Sequence, residues 1–140
     1  MWLLFAFLSA IFAALVAIFG KLGLQKIDTT LATTIRSIIM AGFLVVVALI
    51  LGKFKDFAMS GVGGKQWALI IAAGVAGALS WLFYFSALRL GLASRVAAID
   101  RLSVVFVLLL SVVLLGEHLT WKSGLGALLI AGGAILMTIK

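Results

Sequence analysis

An acidic and a basic residue, Asp100 and Arg101, lie side by side within a long apolar stretch of the chain. A charged side chain at the centre of a bilayer costs about 2.5–3.5 kcal/mol on insertion scales, so such residues are rare unless they have a use. Desolvation favours a neutral carboxyl group and a nearby guanidinium favours an ionised one. A carboxylate under both influences can exchange a proton or a cation during transport. The alternative is a structural ion pair of Asp100 with Arg101 or with Arg36.

Two serines extend this polar set along the same stretch. On a helical wheel with Asp100 at zero and about 100° per residue, Ser103 falls near −60° and Ser111 near +20°. Arg101 falls at about +100°, at the margin of the group. A continuous helix would therefore carry one polar stripe, which should face a cavity or another helix.

Three further residues are candidates for a substrate or coupling-ion site. Arg36 lies about a third of the way into the second apolar stretch, where it can pair with Asp100 or with a substrate. Trp81 and Tyr84 lie near the end of the third. Trp and Tyr often mark the membrane interface. Otherwise they form an aromatic wall for a flat or cationic substrate.

Five apolar stretches must position these residues. The chain of 140 residues is 66% hydrophobic, well above the roughly 45–50% of soluble domains, which predicts an all-α integral membrane protein with a single domain over residues 1–140. The predicted spans, each near the ~20 residues that cross a bilayer, cover about 2–24, 30–51, 66–88, 92–115 and 120–139. The first run is too long for a signal-peptide core and has no basic segment before it, so we interpret it as a retained span.

Composition argues against several classes of function. Cysteine is absent and His118 is the single histidine, so the sequence predicts no disulfide, metal site or cofactor. The net charge of +7 is scattered between apolar runs rather than gathered into the basic stripe of a nucleic-acid-binding protein. No nucleophile–base pair is visible, and Asp100 is the only acid at depth, so an enzyme is not expected.

Small residues concentrate inside the spans. Gly74 and Gly77 lie in the third span, and Gly126, Gly132 and Gly133 lie in the fifth. Small residues allow helix backbones to approach closely within a membrane. These positions are therefore predicted to pack helices together, either within one bundle or at the interface of a homodimer.

The flanking charges bear on orientation. An odd number of spans puts the termini on opposite sides. Lysines and arginines then divide four against four, with Lys53, Lys55, Lys65 and Lys122 on the N-terminal side and Lys21, Lys26, Arg89 and Lys140 on the other. Orientation follows the difference between the two sides. A difference near zero permits insertion both ways and antiparallel pairing of two copies; the alternative is one fixed orientation.

Three segments resemble EamA domains of the drug/metabolite transporter superfamily. Residues 87–106 resemble the fourth-span region of these domains, Leu115–Thr120 resembles their LGE-x-LT turn, and Gly126–Ala134 resembles their glycine-rich last span. Most relatives carry two such domains as inverted repeats. This chain resembles the single-domain branch, whose members often show the Ile-Asp-Lys/Arg-Leu-Ser segment found at 99–103.

The chain departs from the family pattern at two places. Ala97 and Ala98 stand where relatives often have proline; without proline, no span is broken by that route. The first span contains no acid, unlike that of the small multidrug resistance relatives, so Asp100 is the only intramembrane acid available for coupling.

The resemblance implies a secondary transporter in the bacterial cytoplasmic membrane. It would export a small metabolite or an amphiphilic compound by alternating access in a homodimer. The alternative is a non-transporting membrane subunit that stabilises or regulates a partner protein, in which the polar stripe would be structural.

Overall fold

A computed structural model describes residues 1–55 and 61–139, so Asp56 in the loop after the second span and Lys140 in the charge count lie outside the described residues. All regular structure in the described ranges is helical, which confirms the all-α prediction. The helices are α1 (Trp2–Gly23), α2 (Thr29–Ile50), α3 (Gly64–Leu90), α4 (Ala93–Asp100), α5 (Ser103–Leu110) and α6 (Trp121–Thr138), with a π-helical segment at Ser111–Leu115.

Among the residues that the structure describes, five helical stretches are long and apolar enough to cross a membrane. They are Trp2–Gly23, Thr29–Ile50, Gly64–Leu90, Ala93–Leu115 and Trp121–Thr138. Each begins and ends within a few residues of a predicted span, because hydropathy over ~20 residues is the signal that a bilayer imposes. The five-span prediction is confirmed, and the chain is a multi-pass membrane protein.

The fourth span differs from the prediction, because it is not one continuous helix. The N–H of Leu102 donates to the carbonyl of Ile99 at 2.9 Å, and the N–H of Val104 donates to that of Arg101 at 3.1 Å. These bonds span three residues rather than four, and the ψ angles of Arg101 and Leu102 are −12° and −18°, as in a 3₁₀ turn. The break therefore occurs without proline.

The second half of this span ends in the π-helical segment. Gly116 follows it with a φ of +68°, in the left-handed region where glycine avoids the Cβ clash. This conformation lets the N–H of Glu117 donate to the carbonyl of Ser111 at 3.2 Å. Gly52 ends α2 in the same region, with a φ of +64°.

The helices form two compact units. The terminal unit comprises residues 1–21 and 90–140, and the central unit comprises residues 22–89. In the terminal unit α6 packs against both α4 and α5. The Nζ of Lys21 donates to the carbonyl of Gly91 at 2.8 Å, which holds the end of α1 near the start of α4.

In the central unit the start of α2 lies against the end of α3. Asp28 caps α2, since its Oδ1 accepts hydrogen bonds from the N–H groups of Thr30 at 2.9 Å and Leu31 at 3.1 Å. Arg89 lies 4.0 Å from the other carboxylate oxygen of Asp28. Leu88, one residue earlier on α3, is completely buried.

Candidate functional site

Arg36 of α2 stacks on an aromatic ring of α3 in the central unit. Its guanidinium carbon lies 3.7 Å from the centroid of the Trp81 ring and 5.4 Å from that of Phe85. An arginine over the face of a desolvated Trp is stabilised by about 2 kcal/mol. The cation at this aromatic surface is thus a residue of the chain itself, so that face of Trp81 is not open to a cationic substrate.

The rings beneath Arg36 form a cluster along one side of α3. Trp81, Tyr84 and Phe85 are three and four residues apart, the spacing that brings side chains together on a helix. The Trp81 and Tyr84 rings meet edge to face, with centroids 5.6 Å apart and an angle of 83°. Phe85 is buried, and its centroid lies 5.5 Å from that of Trp81. These contacts hold Trp81 in place under the guanidinium.

One nitrogen of Arg36 has no partner. Its Nη1 atom is buried and donates no hydrogen bond within the described part of the chain. Leaving a buried donor unpaired costs about 1–3 kcal/mol, and more for a charged group. The described carboxylate of the central unit, that of Asp28, lies beside Arg89. The Nη1 donor of Arg36 therefore lacks a hydrogen-bond acceptor among the described residues.

The neighbouring hydroxyl groups of α2 donate their hydrogens within their own helix. Thr33 donates to the carbonyl of Thr29 at 2.8 Å, and Ser37 donates to that of Thr33 at 2.8 Å. With their hydrogens bound to the backbone of their own helix, these side chains give α2 a polar face. Arg36 is the residue of this face that reaches across to α3.

In the terminal unit Asp100 and Arg101 lie at the break in the fourth span. Asp100 ends α4 and is partly exposed, while Arg101 and Ser103 are exposed at the surface of the single chain. Neither residue of the pair takes part in an ion pair within 4.0 Å among residues 1–55 and 61–139. Pairing of Asp100 with Arg36 stays a prediction.

The wheel that joined Asp100, Ser103 and Ser111 assumed a continuous helix, which the fourth span is not. The 3₁₀ turn changes the angle between the residues before and after it. Ser111 is buried and donates to the carbonyl of Leu108 at 3.1 Å, whereas Ser103 is exposed. The two serines differ in burial, and a stripe that they share with Asp100 stays a prediction.

Two clefts follow the line where α5 meets α6. The larger, of about 480 Å³, is almost wholly apolar and includes Leu108, Trp121 and Leu128. The smaller, of about 340 Å³, includes the polar side chains of Ser111, Glu117 and Ser123. No group of three acidic or histidine side chains in the described ranges is arranged to hold a metal ion.

The predicted packing glycines face open space. A Cβ added to any of them would meet nothing within 4 Å in the described part of the chain; they are Gly74, Gly77, Gly126, Gly132 and Gly133. Within each described unit, none of these positions meets another helix closely. Their place at a subunit interface stays a prediction.

Part of the site was missed by reasoning from sequence. Phe85 was not singled out, although its spacing of four from Trp81 indicates a shared helix face. The contact of Arg36 with Trp81 joins residues 45 positions apart in the chain, and no local pattern signals it.

Five apolar spans, with Arg36 inside the second and Asp100 at the turn within the fourth, define a polytopic membrane protein. The chain belongs to the EamA-like transporter family, whose profile matches residues 1–139. It is similar to a protein of Sinorhizobium sp named "Uncharacterized transporter in cobO 3'region", with 39% identity over 138 residues, covering 99% of this chain and 96% of that one. No solved structure matches the chain.

Proposed function

We propose that this protein is a secondary transporter that exports a small metabolite or amphiphilic compound across the bacterial cytoplasmic membrane. The observation that carries the proposal is the 3₁₀ turn between α4 and α5, which directly follows Asp100. Irregular backbone at membrane depth is tolerated where it is buried in protein or lines a water-filled cavity. Secondary transporters bind substrates and coupling ions at such interrupted helices near the bilayer midplane.

Asp100 is the proposed coupling residue. It is the only acid inside a predicted span, and an intramembrane carboxylate can bind a proton or cation on one side and release it on the other. Alternating access would expose Asp100 to the two sides in turn.

The working unit is proposed to be a homodimer. Arg101 and Ser103 are exposed on the single chain near the middle of the fourth span, and a lipid-facing arginine there would cost about 2.5–3.5 kcal/mol. A second copy can cover these side chains and the open glycine faces. The equal division of flanking charges permits this copy to insert in the opposite orientation, which recreates the inverted repeat of larger transporters.

Reconstitution tests this proposal directly. Purified protein in liposomes should release a loaded solute faster than protein-free liposomes, and an imposed proton or sodium gradient should change the rate. The solute panel should combine amphiphilic cations, anions and neutral metabolites. No transport of any panel member with or without a gradient would instead favour a non-transporting subunit.

Reporter tags on the C-terminus test the antiparallel arrangement. One tag should fluoresce or react only in the cytoplasm and the other only in the periplasm. Signals from both are expected. A signal from one compartment alone would exclude dual insertion.

A further inference from the structure

Arg36 is an intramembrane cation whose position is fixed by aromatic rings. Its guanidinium carbon lies 3.7 Å from the Trp81 centroid. Stacking covers a face of the planar guanidinium and leaves the edge, where its N–H donors project, available for hydrogen bonds in the plane. A stacked arginine is therefore oriented in advance for a ligand that accepts in that plane.

The central unit does not provide that acceptor from its described residues. Nη1 is buried and makes no hydrogen bond within residues 1–55 and 61–139, and the carboxylate of Asp28 lies beside Arg89. The hydroxyls of Thr33 and Ser37 donate to carbonyls of their own helix, and among the described residues Nη1 donates to neither of them. A buried charged donor without an acceptor is unstable relative to one that is paired, so an acceptor from outside this set is expected.

The chemistry of a guanidinium selects that acceptor. Arginine binds carboxylate and phosphate groups through two parallel N–H···O bonds. The central unit also holds six lysines and arginines against two aspartates, so its field attracts anions. The partly exposed ring of Trp81 beside the guanidinium offers an apolar edge for the rest of such a molecule.

A lipid headgroup is the less suitable source of this oxyanion. Arg36 is seven residues from the first residue of α2, which places its backbone about 10 Å along the helix at 1.5 Å per residue. Lipid phosphates lie outside the hydrocarbon core. An oxyanion carried by a solute within the membrane domain is not held at that level.

We propose that Arg36, stacked on Trp81 and Phe85, binds the carboxylate or phosphate of the transported solute, which is therefore an organic anion with an apolar or aromatic body. The identification of the ligand as the transported solute rests on the proposed transport function. Arg36 is then a specificity-determining residue, and Asp100 supplies the coupling.

Thermal denaturation of the purified, full-length protein in detergent tests the binding step. The probes are benzoate and phenyl phosphate, with benzyl alcohol and benzylamine as neutral and cationic matches. Benzoate or phenyl phosphate should raise the Tm of the wild type in a concentration-dependent way, and the matched compounds should not. Arg36→Gln should weaken this binding by at least about 10-fold, the effect of losing a charge-assisted hydrogen bond.

Three variants separate binding from folding. Arg36→Lys keeps the charge but loses the planar fork, so it should bind the anions more weakly than wild type and more strongly than Arg36→Gln. Trp81→Phe keeps a smaller ring under the guanidinium, so its anion binding should fall between that of wild type and that of Arg36→Gln. Arg95→Gln, which removes an arginine from the first turn of α4, should bind like wild type. Equal anion binding by wild type and Arg36→Gln would overturn the inference, as would stabilisation by benzylamine but not by benzoate.

The source of the oxyanion and its relation to transport are tested in vesicles. Benzoate should bind equally well in phosphatidylcholine vesicles with and without added phosphatidylglycerol. Stabilisation by phosphatidylglycerol that displaces benzoate would overturn the assignment to a solute. A second contrary outcome is that Arg36→Gln and Asp100→Asn lower the Tm by the same amount, with no further loss in the double variant. That result would show a structural ion pair between the two residues and would overturn the assignment of Arg36 to anion binding.

Transport by the same variants distinguishes this inference from the proposed function. The inference would be overturned if the wild type showed no preference for anions and Arg36→Gln transported solutes without an oxyanion at the wild-type rate. The proposed transport function would be unaffected by that result. Binding of anions that depends on Arg36 in a protein that moves none of them would overturn the transport function and leave the binding site standing.

Discussion

Trp81→Leu should destabilise the protein through the loss of three ring contacts. The contact with the Arg36 guanidinium at 3.7 Å is worth about 1–2 kcal/mol for a partly desolvated pair. The ring pairs with Tyr84 and Phe85, whose centroids lie 5.6 Å and 5.5 Å from that of Trp81, add about 0.5–1.5 kcal/mol each. The free energy of unfolding should therefore fall by about 2–5 kcal/mol.

A double-mutant cycle separates the Arg36 contact from the ring pairs. Unfolding in mixed detergent micelles is measured for wild type, Trp81→Leu, Arg36→Gln and the double variant. The coupling free energy between the two positions should be about 1–2 kcal/mol. Trp2→Leu is the control, since Trp2 is 74% exposed at the start of α1 and its replacement should change stability by less than about 0.5 kcal/mol.

A coupling of zero would refute the arrangement described for Arg36. It would mean that the guanidinium does not rest on Trp81 in the membrane protein, and the anion-binding inference would lose its geometric basis. A large effect of Trp81→Leu together with zero coupling would assign the loss to the ring pairs alone.

Three further predictions concern the fold. Asp28→Asn should remove a pH dependence of stability, because hydrogen bonds from Leu31 and Thr30 hold the pKa of Asp28 below its usual range. In the wild type this stabilisation is complete above the unfolded pKa of about 3.9 and is lost as pH falls through the lower folded pKa. An identical pH profile of stability in the variant would contradict this. Leu88→Ala should lower the free energy of unfolding by about 2–5 kcal/mol, because Leu88 is fully buried. Leu90 is 90% exposed, so Leu90→Ala is the control in chemical denaturation. Equal losses of stability in the two variants would be inconsistent with the burial of Leu88. Gly116→Ala should lower the free energy of unfolding by about 1–2 kcal/mol, because a Cβ is disfavoured at a φ of +68°. The matched control is Gly132→Ala, whose Cβ would meet open space, with both variants measured in detergent at low protein concentration.

The spans were predictable because each is set by local composition. A bilayer demands about 20 apolar residues per helix, and the run from Trp2 to Gly23 or from Trp121 to Thr138 satisfies this by itself. The cap at Asp28 is equally local, since an aspartate before Thr29 and Thr30 is a common way for a helix to begin.

The break after Asp100 was not predictable by the same means. Without proline, the choice between a 3₁₀ turn and an α-helical turn depends on small differences in hydrogen-bond geometry and on packing against α6. The wheel assumed no such turn, which changes the angle between Asp100 and the residues that follow the turn.

Arg36 was identified as a site candidate, but the nature of its contact was not. Its depth in the second span indicated a functional or paired charge. That its neighbour is an aromatic ring rather than a carboxylate follows from the approach of α2 to α3, which brings Trp81 beneath the guanidinium. Such pairings between distant helices leave no periodic signal in one sequence.

The most direct test of the transport account compares two acid-to-amide variants in reconstituted liposomes. Asp100→Asn removes the carboxylate at the helix break, and Glu117→Gln removes the exposed one beyond the π-helical segment. Gradient-driven transport of a wild-type substrate should be lost in Asp100→Asn, together with its pH dependence, and retained in Glu117→Gln. Transport by Asp100→Asn with an unchanged rate and pH dependence would contradict the account.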